Sequence, residues 1–184
     1  MATDASQNPE LERLVARALR GEEAAFGQIY DLYFEKIYRF IFYRVNHKEA
    51  AEDLVAETFI RVWDKLPEIQ GPSSFTPWLY QIARNLVIDY YRSRKTTVDL
   101  LELENVLVYE DSILDKTDFS FQQKLFLDAL QKLPSVQQQV IKLKFLDELT
   151  NEEIAKILNK SEGAVRVIQH RAIAELKKLL NHEH

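Results

Sequence analysis

Four groups of side chains in this sequence have the types and spacing to do chemistry. The first is basic. On a helix begun at Glu162 and advanced by about 100° per residue, Gly163, Arg166, Val167, His170 and Lys177 share one side, Arg171 and Lys178 flank it, and Val165, Ile168, Ala172, Leu176 and Leu179 share the other. Cations on the open side of a helix, close to its start, can reach phosphates or base edges in a DNA major groove. The second group is acidic: Asp53, Glu57 and Asp64 fall within an arc of about 40° on a helix, with Arg61 beside them. Carboxylates four residues apart suit acid-base work or a cation. With no His or third convergent acid in the local pattern, a solvated acidic face is the first reading and a docking surface for a basic partner the second. In the third group Phe75, Trp78, Tyr80, Tyr90 and Tyr91 mix with Arg84, Asn85, Arg92, Arg94 and Lys95, the combination of stacking rings, cations and amide that single-strand binding uses. Core packing is the better reading for Trp78, Leu79, Ile82, Ala83, Leu86 and Tyr90. The fourth is the tail His182-Glu-His184, which could ligate a metal, although terminal residues are usually mobile.

Other chemistries are excluded by what is missing. The 184 residues include no Cys, so there is no disulfide framework, thiolate zinc site or cysteine nucleophile. The four His form no His-Glu-x-x-His helix, and the four Gly form neither a Walker loop nor a dinucleotide fingerprint. No cofactor and no metal is expected, and the chain is not expected to be an enzyme. No apolar run approaches the length of a membrane span, and MATDASQNPE is too polar for a signal peptide. A cytoplasmic protein is expected.

Charge shows how the chain is organised. Its net charge is -5, but residues 1–95 carry 13 basic and 14 acidic groups and residues 124–184 carry 10 and 8. Residues 96–123 hold one basic group, Lys116, against seven acidic ones: Asp99, Glu102, Glu104, Glu110, Asp111, Asp115 and Asp118. That stretch lacks a sustained helical period and reads as a linker.

Outside it the punctuation is helical. Asn8-Pro9 looks like a cap and first helical residue, followed by Leu11, Leu14, Val15, Ala18 and Leu19 at helical spacing until Gly21. A second apolar series runs through Phe26, Ile29, Tyr30, Tyr33, Ile37, Phe40 and Ile41, and a third through Leu54, Val55, Phe59, Val62 and Trp63. Thr76-Pro77 predicts the start of a fourth helix, stapled by Phe75 and Tyr80 and running to about Arg94. Phe121 to Lys132 can form another. Ser135-Val-Gln-Gln138 reads as a capping box ahead of a helix burying Val140, Ile141, Leu143 and Leu146, and Thr150-Asn-Glu-Glu153 as a second. The fold class is all-α: two small helical domains, 8–95 and 121–181, joined by an acidic linker, 96–120.

Residues 150–171 have helix-turn-helix spacing. A short capped helix, Asn151 to Leu158, precedes the turn Asn159-Lys160-Ser161 and a longer helix from Glu162. Ala155 is small where the helices must approach closely, while Ile154 and Leu158 face inward from the first helix and Val165 and Ile168 from the second. Asn159 occupies the left-handed turn position where Gly is usual, and Ser161 caps the second helix, leaving its amide dipoles available to phosphate.

Taken together, Ala51-Glu-Asp-Leu-Val-Ala-Glu-Thr-Phe-Ile-Arg-Val-Trp63, Phe75-Thr-Pro-Trp-Leu-Tyr-Gln-Ile-Ala-Arg-Asn-Leu-Val-Ile-Asp-Tyr-Tyr-Arg92, Leu133-Pro-Ser-Val-Gln-Gln-Gln-Val-Ile141, Glu153-Ile-Ala155, Gly163-Ala-Val-Arg166 and His170-Arg-Ala172 resemble the extracytoplasmic-function class of bacterial sigma factors. The resemblance covers nearly the whole chain in the right order. It implies a non-catalytic subunit that binds core RNA polymerase and promoter DNA, with an anti-sigma factor as a further partner. Asp53, Leu54, Glu57, Arg61 and Trp63 would dock on the polymerase clamp coiled coil. The loop Ile69 to Ser74, with Ser74, Phe75, Asn85, Tyr91 and Arg92, would engage the minus-ten element and trap a flipped base. Ser161, Arg166, Val167, His170 and Arg171 would contact the minus-thirty-five element. The acidic linker would thread the polymerase interior near nascent RNA. Asn159, where the family has Gly, and Val167, where a small polar residue is common, depart from the pattern. Two functions compete with this one: a LuxR-like helix-turn-helix regulator that binds its duplex without polymerase, and a helical adaptor with no DNA role.

Overall fold

The computed structural model describes residues 8–94 and 121–181; the linker and the His182-Glu-His184 tail lie outside them. Every regular element among the described residues is helical. The chain divides into two compact units, Met1–Asp99 and Leu100–His184.

The first unit holds α1 (Pro9–Leu19), α2 (Glu23–Val45), α3 (Lys48–Lys65) and α4 (Phe75–Arg94), with 3-10 turns at Leu66–Glu68 and Pro72–Ser74. Asn8 caps α1 as its sequence predicts, its Oδ1 accepting from the Leu11 amide at 3.2 Å. Leu11, Leu14, Val15 and Ala18 are buried, while Leu19, at the last position of the helix, is exposed. Arg17 forks onto Glu22 across the α1–α2 turn, donating from Nε at 2.8 Å. That hydrogen bond holds the Glu22 carboxyl below its ordinary range and raises the guanidinium above its own. The chain leaves α2 through Asn46 in a left-handed conformation, φ 49°, and re-enters a helix at His47, whose Nδ1 accepts from the Ala50 amide at 3.2 Å.

The start of α4 differs from the expected cap and staple. The helix begins at Phe75, directly after the Pro72–Ser74 turn, so Thr76 lies inside it. The Thr76 Oγ1 instead sits 2.6 Å from the Tyr33 hydroxyl, both buried. Phe75 and Tyr80 each pack edge-on against α2, Phe75 on Tyr33 at 5.8 Å and Tyr80 on Phe40 at 5.0 Å between ring centroids. Long-range packing, which a local cap signal does not encode, decides this corner. At the far end the Tyr91 hydroxyl donates to the Arg44 carbonyl, tying the two helix ends together.

The second unit holds α5 (Phe121–Gln131), α6 (Ser135–Phe145), α7 (Asn151–Leu158) and α8 (Glu162–Asn181). Ala129, Leu130, Leu133, Ile141, Ala172 and Leu176 form a core cluster there. The capping box expected at Ser135 is not formed. Pro134 occupies the cap, and the buried Gln138 reaches back with its side-chain amide to the carbonyls of Gln131 at 3.0 Å and Leu133 at 2.9 Å. It thereby closes the end of α5 instead of the start of α6. Leu146, expected in the core, is exposed because α6 ends one residue earlier.

After α6 the chain turns through Glu148 at φ 56°. A left-handed backbone costs a residue with a Cβ roughly 1–2 kcal/mol, part of which a Gly would return as unfolded-state entropy. Glu148→Gly is therefore expected to stabilise the protein by about 1 kcal/mol and raise Tm by a few degrees in thermal denaturation. A lowered Tm would show that the Glu148 side chain contributes more than its backbone costs.

Candidate nucleic-acid interface and docking surface

The helix-turn-helix is built as its sequence predicts. The Thr150 Oγ1 accepts from the Glu153 amide at 3.1 Å, and the Glu153 carboxylate accepts from the Thr150 amide at 2.8 Å, a reciprocal capping box. Asn159 takes the left-handed turn position at φ 52°, ψ 49°. The amides of Lys160 and Asn159 then donate to the carbonyls of Ala155 and Lys156, a complete Schellman closure made without glycine. One inward residue differs from expectation. Ile157, with Ile154 and Ala155, fills the buried side of α7, while Leu158, in the last helical position, is only half-buried.

Ser161 opens α8 by accepting from the Ala164 amide at 3.1 Å. Val165, Ala172 and Leu176 anchor the helix in the core, and Ile168 is half-buried. Arg166, Val167, His170 and Arg171 are exposed together on the opposite side. Arg166 is held by Glu162 at 2.5 Å, with side-chain exposures of 67% and 45%. Such a surface pair is worth at most about 1 kcal/mol, so it orients the guanidinium without locking it.

In the first unit, Asp53, Glu57 and Asp64 stand exposed on α3, and Glu57 accepts from Arg61 at 2.6 Å. Trp63 is 39% exposed, its ring braced edge-on by Phe26 at 4.8 Å. Leu54, grouped with these by sequence, is 7% exposed and faces the core, so it holds α3 in place and cannot touch a partner. Ile60, which the sequence reading passed over, is the most exposed large apolar side chain among the described residues at 61%. Its position, three residues after Glu57 and off the core series, was the available signal.

On α4, Asn85 and Arg92 are exposed, the latter 4.0 Å from Asp89, and Ser74 is partly exposed in the turn ahead of the helix. Phase and packing remove one expected contact and limit another. Phe75 is fully buried against Tyr33 and cannot stack on a base. Tyr91 is half-buried with its hydroxyl committed to Arg44, leaving only part of its ring available. The turn depends on Gly71 at φ 153°, ψ 158°, a region open essentially to glycine alone.

The fold and these surfaces define an all-helical protein of two units, one carrying a helix-turn-helix with an exposed basic side and the other an exposed acidic row on α3. Comparison with known proteins gives the family. Residues 29–97 match Sigma-70 region 2 and residues 129–178 match Sigma-70, region 4. The ECF RNA polymerase sigma factor BldN of Streptomyces coelicolor is 39% identical over 183 residues, covering 95% of this chain and 67% of BldN. SigW of Bacillus subtilis is 30% identical over 185 residues, covering 92% of this chain and 96% of SigW. Among solved structures, CnrH in complex with the cytosolic domain of CnrY superposes with a TM-score of 0.66 at 26% identity, over 95% of this chain and 99% of CnrH. The chain belongs to the extracytoplasmic-function RNA polymerase sigma factors.

Proposed function

We propose that three separate surfaces divide the work of this sigma factor. As a member of its family the chain binds core RNA polymerase and directs promoter recognition, promoter melting and transcription initiation. The carrying observation is the match of both sigma regions, in order, to the two helical units, which favours this function over a LuxR-like regulator. Residues 8–95 serve as the polymerase and minus-ten domain, 96–120 as the acidic connector, and 121–181 as the minus-thirty-five domain.

In this reading Asp53, Glu57, Arg61 and Trp63 form the polymerase surface, with Leu54 supporting it from within. Ser74, Asn85, Arg92 and the accessible part of Tyr91 receive the minus-ten strand, Phe75 shaping the site from the core. Ser161, Arg166, Val167, His170 and Arg171 enter the minus-thirty-five groove. The protein does no covalent chemistry of its own. Among the described residues no helix is long and apolar enough to cross a membrane, and the proposed place of action is the cytoplasm, where polymerase and DNA meet. CnrH is solved in complex with the cytosolic domain of CnrY, which supports a further protein partner for this chain; the family reading makes that partner an anti-sigma factor.

The test is promoter opening, followed by the fluorescence of 2-aminopurine placed in the minus-ten non-template strand. The signal should require both this chain and core polymerase. Asn85→Ala, at an exposed position that affects no core packing, should lower opening about tenfold, since losing an amide leaves a base edge unpaired at roughly 1–3 kcal/mol. Polymerase binding should be unchanged. Full opening by the variant would remove Asn85 from the minus-ten site.

A further inference from the structure

The side of α3 turned away from the core is not uniformly polar. Ala56, Ile60 and Trp63 follow one another at i, i+4 and i+7, and all three are exposed. This is the spacing of a coiled-coil seam about two turns long, and apart from the Phe26 ring set edge-on against Trp63 it stands open on the surface. Scattered exposed apolar residues are ordinary on any surface. Here they are aligned, and they have organised borders. On one side Phe26 braces Trp63, and Tyr30, itself exposed, leans on Phe59 at 4.6 Å between ring centroids. On the other stands the row Asp53, Glu57 and Asp64, all exposed. The complementary surface is a helix with its own apolar seam and basic side chains along one flank. Ala56, the small residue of the three, is where such a helix can approach most closely.

We propose that Ile60 is the affinity anchor of the docking surface for core RNA polymerase, seated between Ala56 and Trp63 under an apolar helix face, while the carboxylates beside it steer and orient the encounter. This rests on the reading of α3 as the polymerase surface. The division of labour follows from physics. Exposed carboxylates act at a distance, are screened by salt and mainly govern the rate of association. A branched apolar side chain acts only when water is excluded from it, so it sets the rate of dissociation.

The experiment measures the affinity and dissociation rate of the full-length chain for core RNA polymerase over a range of salt concentrations, with thermal melting recorded for each variant. Ile60→Ala should weaken binding about tenfold or more through faster dissociation, with the salt dependence of the wild type. Ile60→Leu should stay within about threefold of wild type, because volume and apolarity are kept. Ile60→Asp should weaken binding beyond Ile60→Ala, and none of the three should shift melting. Glu57→Arg separates the two levels of the reading. Wild-type affinity in Ile60→Ala and Ile60→Asp, with binding lost in Glu57→Arg, would overturn the anchor and leave the docking surface standing. Wild-type affinity in all variants, Glu57→Arg included, would take α3 out of the interface. Weaker binding that tracks a lowered melting temperature would make Ile60 a structural residue and overturn the proposal.

Discussion

Glu57→Arg is expected to abolish association with core RNA polymerase while leaving the chain able to bind a minus-thirty-five duplex. Glu57 is exposed on α3, and its carboxylate meets the Arg61 guanidinium at 2.6 Å on the same helix face. Losing that pair and placing two cations four residues apart costs only a few tenths of a kcal/mol each, so the helix persists. At a docking surface the same reversal sets like charges together and costs several kcal/mol, about a hundredfold or more in affinity. Asp53 and Asp64, on the same arc, would be left facing a basic partner around a repulsive centre. Glu57→Gln should lose less, and its deficit should shrink at high salt, because it removes an attraction without adding a repulsion. The check is equilibrium binding of labelled full-length protein to core polymerase, with duplex binding measured on the same preparations. Wild-type polymerase affinity in Glu57→Arg would sink the docking assignment.

The second large effect separates two arginines on α8. Arg166 lies in the first turns of the helix and Arg171 more than a turn further along; if the helix start enters the major groove, the first can reach a guanine edge and the second a flanking phosphate. Arg166 must leave Glu162 to do so, which costs at most about 1 kcal/mol, and a base contact returns roughly 1–3 kcal/mol of discrimination. Arg166→Ala is therefore expected to relax specificity at one promoter position. Arg171→Ala should weaken all sequences alike and lower the salt slope by about one unit, the mark of a lost phosphate contact. Titration of both variants against single-base minus-thirty-five duplexes at several salt concentrations distinguishes them. Specificity relaxed by the Arg171 change and not by the Arg166 change would reverse the roles, and no effect from either would remove α8 from the DNA interface.

Local rules carried some parts of this fold further than others. The helix-turn-helix was legible because its signals lie close together along the chain: the Thr150-Glu153 box, the left-handed Asn159 and the Ser161 cap each concern a few consecutive residues. Where the outcome depended on distant partners, local patterns misled. Thr76 has the chemistry of a cap but finds Tyr33, 43 residues away. Ser135 and Gln138 have the spacing of a capping box, yet Gln138 is drawn to the open carbonyls at the end of α5. The family resemblance carries positions over without their burial, which is why it groups Leu54 with the docking residues and Phe75 with the minus-ten ones, and a helical projection blurs the border between a buried and an exposed side, which is why it favours Leu158 where Ile157 packs. Ile60 was missed for a related reason. It stands off the core series beside an acidic row, and only the exposure of its side chain marks an apolar group there.

The account is tested most directly by run-off transcription on a library of genomic fragments, using core RNA polymerase freed of other sigma factors, with and without this chain. The chain should form a stable complex with the core enzyme and produce discrete transcripts absent from either component alone. Their start points should share two upstream elements, one for each helical unit. If the chain instead bound a duplex on its own, formed no complex with core polymerase and left the transcripts of the core enzyme unchanged, it would be a helix-turn-helix regulator and the sigma-factor account would be contradicted.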